Sequence, residues 1–136
     1  MYEVFQKLVF LFYYQKARNI ASQENYLDAI ELLNKAPFKE KSFFYYLLGA
    51  FLYERLFRFD ESLFYYDKAK FLIFNNSKLN QDDKNYLFKY INNGYLYIYQ
   101  EQQKYEEVKR IKELNKGITF EITKVNKSIK NDFVIG

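Results

Sequence analysis

The residues best placed to do chemistry are three adjacent acid pairs, Asp60–Glu61, Asp82–Asp83 and Glu106–Glu107. Two carboxylates held in different environments can divide acid and base roles between them. Neighbours on a helix, however, point about 100° apart, so an adjacent pair cannot converge on one bond. All three pairs open predicted helices, where free N–H groups and the helix dipole favour negative charge. Their role is therefore structural. Other routes to catalysis lack their residues. The chain has no His and no Cys, which removes the commonest general base and metal ligand and all thiolate chemistry. A metal would need carboxylates alone, and none are clustered for one. Gly49, Gly94, Gly117 and Gly136 are too dispersed for a phosphate-binding loop. The expectation is a non-enzyme with no catalytic residue, no cofactor and no metal.

Charge offers a second chemistry. Net charge is +4, and residues 104–136 hold eight Lys/Arg against five Asp/Glu. The stretch "KRIKELNK", Lys109 to Lys116, with Lys124, Lys127 and Lys130, could meet phosphate, and tyrosines could stack on bases. Glu106, Glu107, Glu113 and Glu121 interrupt it, and Lys109–Glu113 and Lys116–Glu113 are spaced to pair on a helix. A solvated mixed-charge face is the simpler reading, with nucleic-acid binding through the basic C-terminal end as the alternative.

The elements that must carry these residues are helical. Hydrophobic residues make up 49% of 136 residues against 28% charged, with four Gly and one Pro. So few breakers, with apolar steps of three and four, predict an all-α protein. Turn residues place helices near 2–22, 25–36, 41–57, 60–75, 82–102 and 104–116. Pro37 stops the second, Asn80 to Asp83 starts the fifth, and Gly117 caps the sixth. In the tail, Ile118, Phe120 and Ile122 alternate as in a strand, while Ile122, Val125, Ile129 and Phe133 form a helical stripe; a last capping helix is favoured. Leu8 to Tyr14 is too short an apolar run to cross a bilayer. Glu3 and Lys7 before it, with no cleavage site after it, do not suit a signal peptide. A cytoplasmic chain without a membrane span is expected, folded as one domain over 1–136.

A repeat organises the helices. "NYLDAIELLNKA" (Asn25 to Ala36) and "RFDESLFYYDKA" (Arg58 to Ala69) lie 33 residues apart. They align Tyr26 with Phe59, Ala29 with Ser62, Leu33 with Tyr66 and Ala36 with Ala69. "KYEEVKRIKELN" is a weaker third copy beginning at Tyr105 and Val108. The preceding helices carry large–small–large at Tyr13, Ala17, Ile20 and at Tyr46, Ala50, Tyr53. This resembles the tetratricopeptide repeat, whose period is about 34 residues. The resemblance implies a short right-handed stack of about three antiparallel hairpins with a C-terminal capping segment. Small residues would let the backbones approach, and neighbouring hairpins would stack to cover faces no single hairpin can cover. "FFYYLLGAFLYERLF", Phe43 to Phe57, is apolar nearly all round, as a central helix should be.

In that family the first helices of successive repeats line a groove for a peptide or a partner helix. Transferred by position, the resemblance implies a partner-binding set of Tyr14, Arg18, Phe51, Glu54, Arg55, Asn93 and Tyr97. Aromatics with Arg are what interface anchors use. A subfamily that captures chaperone C-terminal carboxylates is not matched, because its places hold Tyr14, Leu48 and Tyr90, with only Arg18 polar. The function implied is a non-catalytic protein-binding module: an adaptor, a dedicated chaperone or a toxin-immunity protein. Self-association through exposed Phe43, Phe44 or Phe133 is a further expectation.

Overall fold

The structure is a computed structural model and describes residues 2–117. Among them stand six α-helices and no strand: α1 (Tyr2–Ser22), α2 (Tyr26–Leu33), α3 (Phe43–Arg55), α4 (Phe59–Phe74), α5 (Gln81–Glu101) and α6 (Tyr105–Lys116), with a short 3-10 turn at Lys39–Lys41. The all-α expectation holds. The tail stretch and Phe133 lie outside the described residues. No described helix is long and apolar enough to cross a membrane. The chain divides into two compact units, one through Leu72 and one from Ile73 onward.

The helices pair in sequence order, and one turn closes all three pairs. After α1, α3 and α5 the chain passes through a residue with positive φ: Glu24 at 62°, Phe57 at 59° and Gln103 at 57°. Its N–H reaches back three residues, to the carbonyls of Ala21, Glu54 and Gln100. The next N–H, of Asn25, Arg58 or Lys104, reaches back five, to Ile20, Tyr53 or Tyr99. This double bond pattern satisfies the free carbonyls of a helix end and normally favours glycine at the left-handed position. None of the three residues is Gly. The following helix then starts at once on Tyr26, Phe59 or Tyr105.

Three boundaries differ by two residues or more from those predicted: the end of the second helix and both ends of the third, which spans 43–55 where 41–57 is predicted. The second helix ends at Leu33, three residues short of Ala36. Proline disturbs more than its own position: its ring clashes with the carbonyl four residues back, which for Pro37 is that of Leu33, and it disfavours helical geometry at Ala36. Phe38 follows with φ 65°, and α3 begins after Ser42, whose backbone is extended. At the other end, Gly117 occupies the cap position of α6 without a left-handed backbone, at φ −81°.

In the first unit, the expected small positions carry the packing. Ala17, Ala29, Ala50, Ser62 and Ala69 are wholly buried. The Ser62 hydroxyl donates to the Ala50 carbonyl at 2.7 Å, tying α4 to α3. Gly49 lies under the Tyr65 ring, where a Cβ would come within 2.5 Å of Cδ2. α3 is accordingly buried around most of its circumference, between α2 and α4. In the second unit, α5 turns Leu87, Ile91, Tyr95 and Ile98 inward, and α6 contributes Val108 and Ile111. The Asn92 amide donates to Asn115 Oδ1 at 2.9 Å across this pair. Asn80 caps α5 by accepting from the Asp83 N–H at 2.7 Å.

Candidate functional site

Five of the seven predicted binding residues lie in the first unit. On α1, Arg18 follows Tyr14 by one turn, with its guanidinium carbon 5.7 Å from the ring centre. On α3, Arg55 follows Phe51 by one turn, at 5.2 Å. Each couple is a cation laid on an aromatic face, worth about 0.5–1 kcal/mol at an exposed site. The rings are held from behind. Tyr14 is buried, stacks on Phe10 at 5.9 Å and meets Phe44 edge-on at 5.8 Å. Phe51 meets Tyr26 edge-on at 6.2 Å. The aromatics thus fix the position of two guanidinium groups, of which Arg55 is exposed and Arg18 half-buried.

Glu54 does not share that surface. It is 7% exposed and turns toward α4, where Oε1 accepts from the Tyr66 hydroxyl at 3.2 Å. Burial raises its carboxyl above the usual range, and the Tyr66 bond and the Arg55 charge draw it only partly back. Its counterpart one repeat earlier is Ala21, also buried. The counterpart of Phe51 is Arg18, so the aromatic–Arg couple of α3 is shifted one turn along its helix relative to that of α1.

Asn93 and Tyr97 belong to the second unit, one turn apart on α5. Asn93 is exposed and borders a shallow dent with Tyr86, Lys89 and Tyr90. Phe43 and Phe44, expected at the surface, are instead packed. Phe43 is buried, and Phe44 stacks on it at 4.3 Å while bracing Tyr14. Phe44 packs against the core of the first unit.

One cluster was not foreseen. Tyr45, Tyr46, Tyr53 and Tyr65 converge between α3 and α4, their rings 4.9 to 5.6 Å apart for each neighbouring pair. The Tyr45 and Tyr65 hydroxyls are 2.9 Å apart, and Tyr45 donates to Asn34 Oδ1 at 2.8 Å. Lys39 donates to the Asn34 carbonyl and lies over the Tyr45 ring. Burial, then the bond to Tyr65, pushes the Tyr45 phenol far above its ordinary value. A phenol so placed keeps its proton and ties α2, α3 and α4 together. The only sequence signal was the density of Tyr at these positions, which does not say which rings meet.

On α6, two of the four cations in the predicted stretch are paired with acids, and Glu113 meets Lys116 rather than the expected Lys109. Arg110 binds Glu107 at 2.8 Å and Lys116 binds Glu113 at 3.1 Å. Among the described residues no group of acids is gathered to hold a metal ion. No family model, no curated protein and no solved structure matches the chain.

Proposed function

We propose that the chain is a non-catalytic protein-binding module, a short tetratricopeptide-like stack that grips a partner protein or peptide. The observation that carries the reading is the recurrence of one hairpin design. The same left-handed turn closes three helix pairs, and in two of them small buried residues recur 33 positions apart, at Ala29 and Ser62. Hairpins of this kind present apolar faces that only neighbours can cover. On this reading they form a right-handed stack, and first helices offer the groove.

The groove's anchors are Arg18 and Arg55, each pre-positioned on a ring. Fixing an Arg before binding lowers the ordering cost that association must overcome, and Arg beside aromatics is typical of interface hot spots. Tyr14 and Phe51 serve as platforms, Glu54 and Tyr66 hold α3 on α4, and Asn93 and Tyr97 add contacts on α5. An adaptor, a dedicated chaperone or an immunity protein that blocks a toxin all need such a surface and no chemistry, and all three suit a Cys-free cytoplasmic chain. The nucleic-acid reading is weaker because Arg110 and Lys116, two of the four cations of the stretch, each share their face with an acid one turn away.

The test is affinity capture with wild type against Arg18→Ala, Arg55→Ala and the triple variant with Tyr97→Ala. Each Arg variant should weaken the captured complex about tenfold or more, as hot-spot truncations do. A partner held equally well by the triple variant places the interface elsewhere. Binding to RNA or DNA that collapses between low and moderate salt would favour the alternative.

A further inference from the structure

The outer face of α1 is apolar over the first half of the helix and ringed by cations. Val4, Phe5, Leu8, Leu11 and Phe12 are each 47–62% exposed, and at 100° per residue they share one stripe about 120° wide. The buried side, Phe10, Tyr14, Ala17 and Ala21, points away from it. The stripe turns polar farther along, at Gln15 and Asn19. Residues 4–23 hold Lys7, Lys16 and Arg18 and no acid. Lys7 lies about 40° outside one edge of the stripe and Lys16 about 20° outside the other. The Lys16 ammonium stands 5.9 Å from the centre of the Phe12 ring, so its stem follows the stripe. The Lys7 ammonium stands 5.4 Å from the Phe38 ring and that of Lys41 5.3 Å from the same ring, which brings a second cation to the Lys7 edge. Two acids accompany these cations. Glu40 adjoins Lys41 in the chain, and Glu3 meets Lys7 at 3.6 Å, with both side chains half exposed or more, where water screens such a pair.

We propose that this stripe seats α1 in the surface of a membrane carrying anionic phospholipid, with the helix axis in the membrane plane. The five apolar side chains enter the boundary between headgroups and acyl chains, while Lys7 and Lys41 on one edge and Lys16 on the other reach headgroup phosphates. Three features select that occupant. First, cations on both edges are what an in-plane helix uses: their stems lie along apolar surface and their ammonium groups rise to headgroup level. Second, no acid interrupts the stripe from Val4 to Phe12, so nothing on it is driven against anionic headgroups. A protein partner would need acids placed in register along both rims, whereas an anionic membrane supplies negative charge along both without any register. Third, the stripe is about 12 Å long, which suits a helix lying in the interface and is far too short to cross a bilayer. No described helix is a membrane span, so the contact is with the surface alone.

The test is cosedimentation of the full chain with vesicles of phosphatidylcholine alone and of phosphatidylcholine with phosphatidylserine at about one part in three. The chain should bind the mixed vesicles and bind phosphatidylcholine about tenfold more weakly or worse. Leu8 is 60% exposed, so Leu8→Glu should keep the fold, with helicity checked by circular dichroism. It should weaken binding to the mixed vesicles about tenfold or more, by removing apolar contact and adding a like charge. A cation at an anionic surface is worth about fivefold in binding, so Lys7→Gln with Lys16→Gln should cost about 25-fold on the mixed vesicles. On phosphatidylcholine the same pair should cost little. Lys109→Gln with Lys112→Gln removes equal charge from α6 and should leave binding within about twofold. Failure of the wild-type chain to bind the mixed vesicles overturns the proposal. So does binding indifferent to Leu8→Glu, or an equal loss from the α6 pair, which would trace binding to net charge and not to this face. A chain that ignores vesicles yet sediments as a dimer, broken by Leu8→Glu, would give the stripe to a second copy and overturn it as well.

Discussion

The α3–α4 and α5–α6 hairpins share a turn and differ in what lies between the helices. Both close through a left-handed residue with the same pair of backbone bonds, at Phe57 and Gln103. Yet α3 meets α4 through Gly49, Ala50 and Ser62, with a hydroxyl-to-carbonyl bond that only close backbones permit. α5 and α6 pack branched aliphatics, with Val108 where Ser62 stands and an Asn92–Asn115 bond where α4 has Ala69. The turn is thus a local device, fixed by helix-end hydrogen bonding. The interface is set separately by side-chain volume. A hairpin can keep its geometry after its small residues are gone, provided other apolar groups fill the seam.

The largest test of that separation lies in α6. The Tyr66 position corresponds to Lys112, which is exposed, and the buried role has moved to Ile111, at 1% exposure. Ile111→Ala should cost about 3 kcal/mol in urea unfolding, while Lys112→Ala should stay within about 0.5 kcal/mol, as surface changes do. Equal losses would mean that the seam follows the repeat register after all. Next in size is Gly49→Ala. Its new Cβ would press on the Tyr65 ring, and Tyr65 is tied to Tyr45, so overpacking should cost about 2 kcal/mol. A neutral or stabilising result, from relief of glycine entropy, would show that the ring can step aside.

Much of this was legible before any coordinates. Four of the six predicted helices, 2–22, 60–75, 82–102 and 104–116, fall within a residue of those observed at each end, because the breaks at Ser22–Asn25 and Asn80 carry local turn chemistry. The small positions Ala29, Ser62 and Ala50 also read correctly, since burial follows helical spacing. The site was legible only in part. Arg18 and Arg55 were named, but not the rings they rest on as couples, although aromatic-x-x-x-Arg is an ordinary one-turn spacing. The spacing reads Tyr14 as a partner contact, yet its ring is buried, because register transfer says nothing about Phe44 packing over it. The same transfer includes Glu54, though its counterpart Ala21 marks that position as interior. The tyrosine cluster needed distances no spacing supplies.

The shared turn predicts a matched gain in both hairpins. A non-glycine residue at positive φ costs about 1 kcal/mol, and Phe57 is largely exposed, so little packing is lost with its ring. Phe57→Gly and Gln103→Gly should each stabilise the chain by up to about 1 kcal/mol, read as a higher urea midpoint at unchanged slope. A gain at one turn and a loss at the other would show that the two turns, alike in backbone, are not alike in energy.

The finest distinction is electrostatic. Across α3–α4 one of the polar links, Tyr66 to Glu54, contains a carboxyl acceptor, whereas Asn92–Asn115 has none. Burial raises the Glu54 carboxyl, so the folded state holds that proton more tightly than the unfolded chain does. Its contribution to stability is therefore fully present below the ordinary carboxylate range and is lost as pH rises through the raised value. Glu54→Gln keeps an acceptor for Tyr66 and removes the ionisation. The variant should match wild type near pH 4 and exceed it near pH 7, with urea midpoints measured at both. Asn92→Asp, placed in the other hairpin, should reverse the contrast by adding a buried charge beside Asn115 and losing stability as pH rises. Parallel pH curves for Glu54→Gln and wild type would mean the carboxylate is hydrated in solution, and the α3–α4 seam would then be looser at its end than the Ser62–Ala50 bond implies.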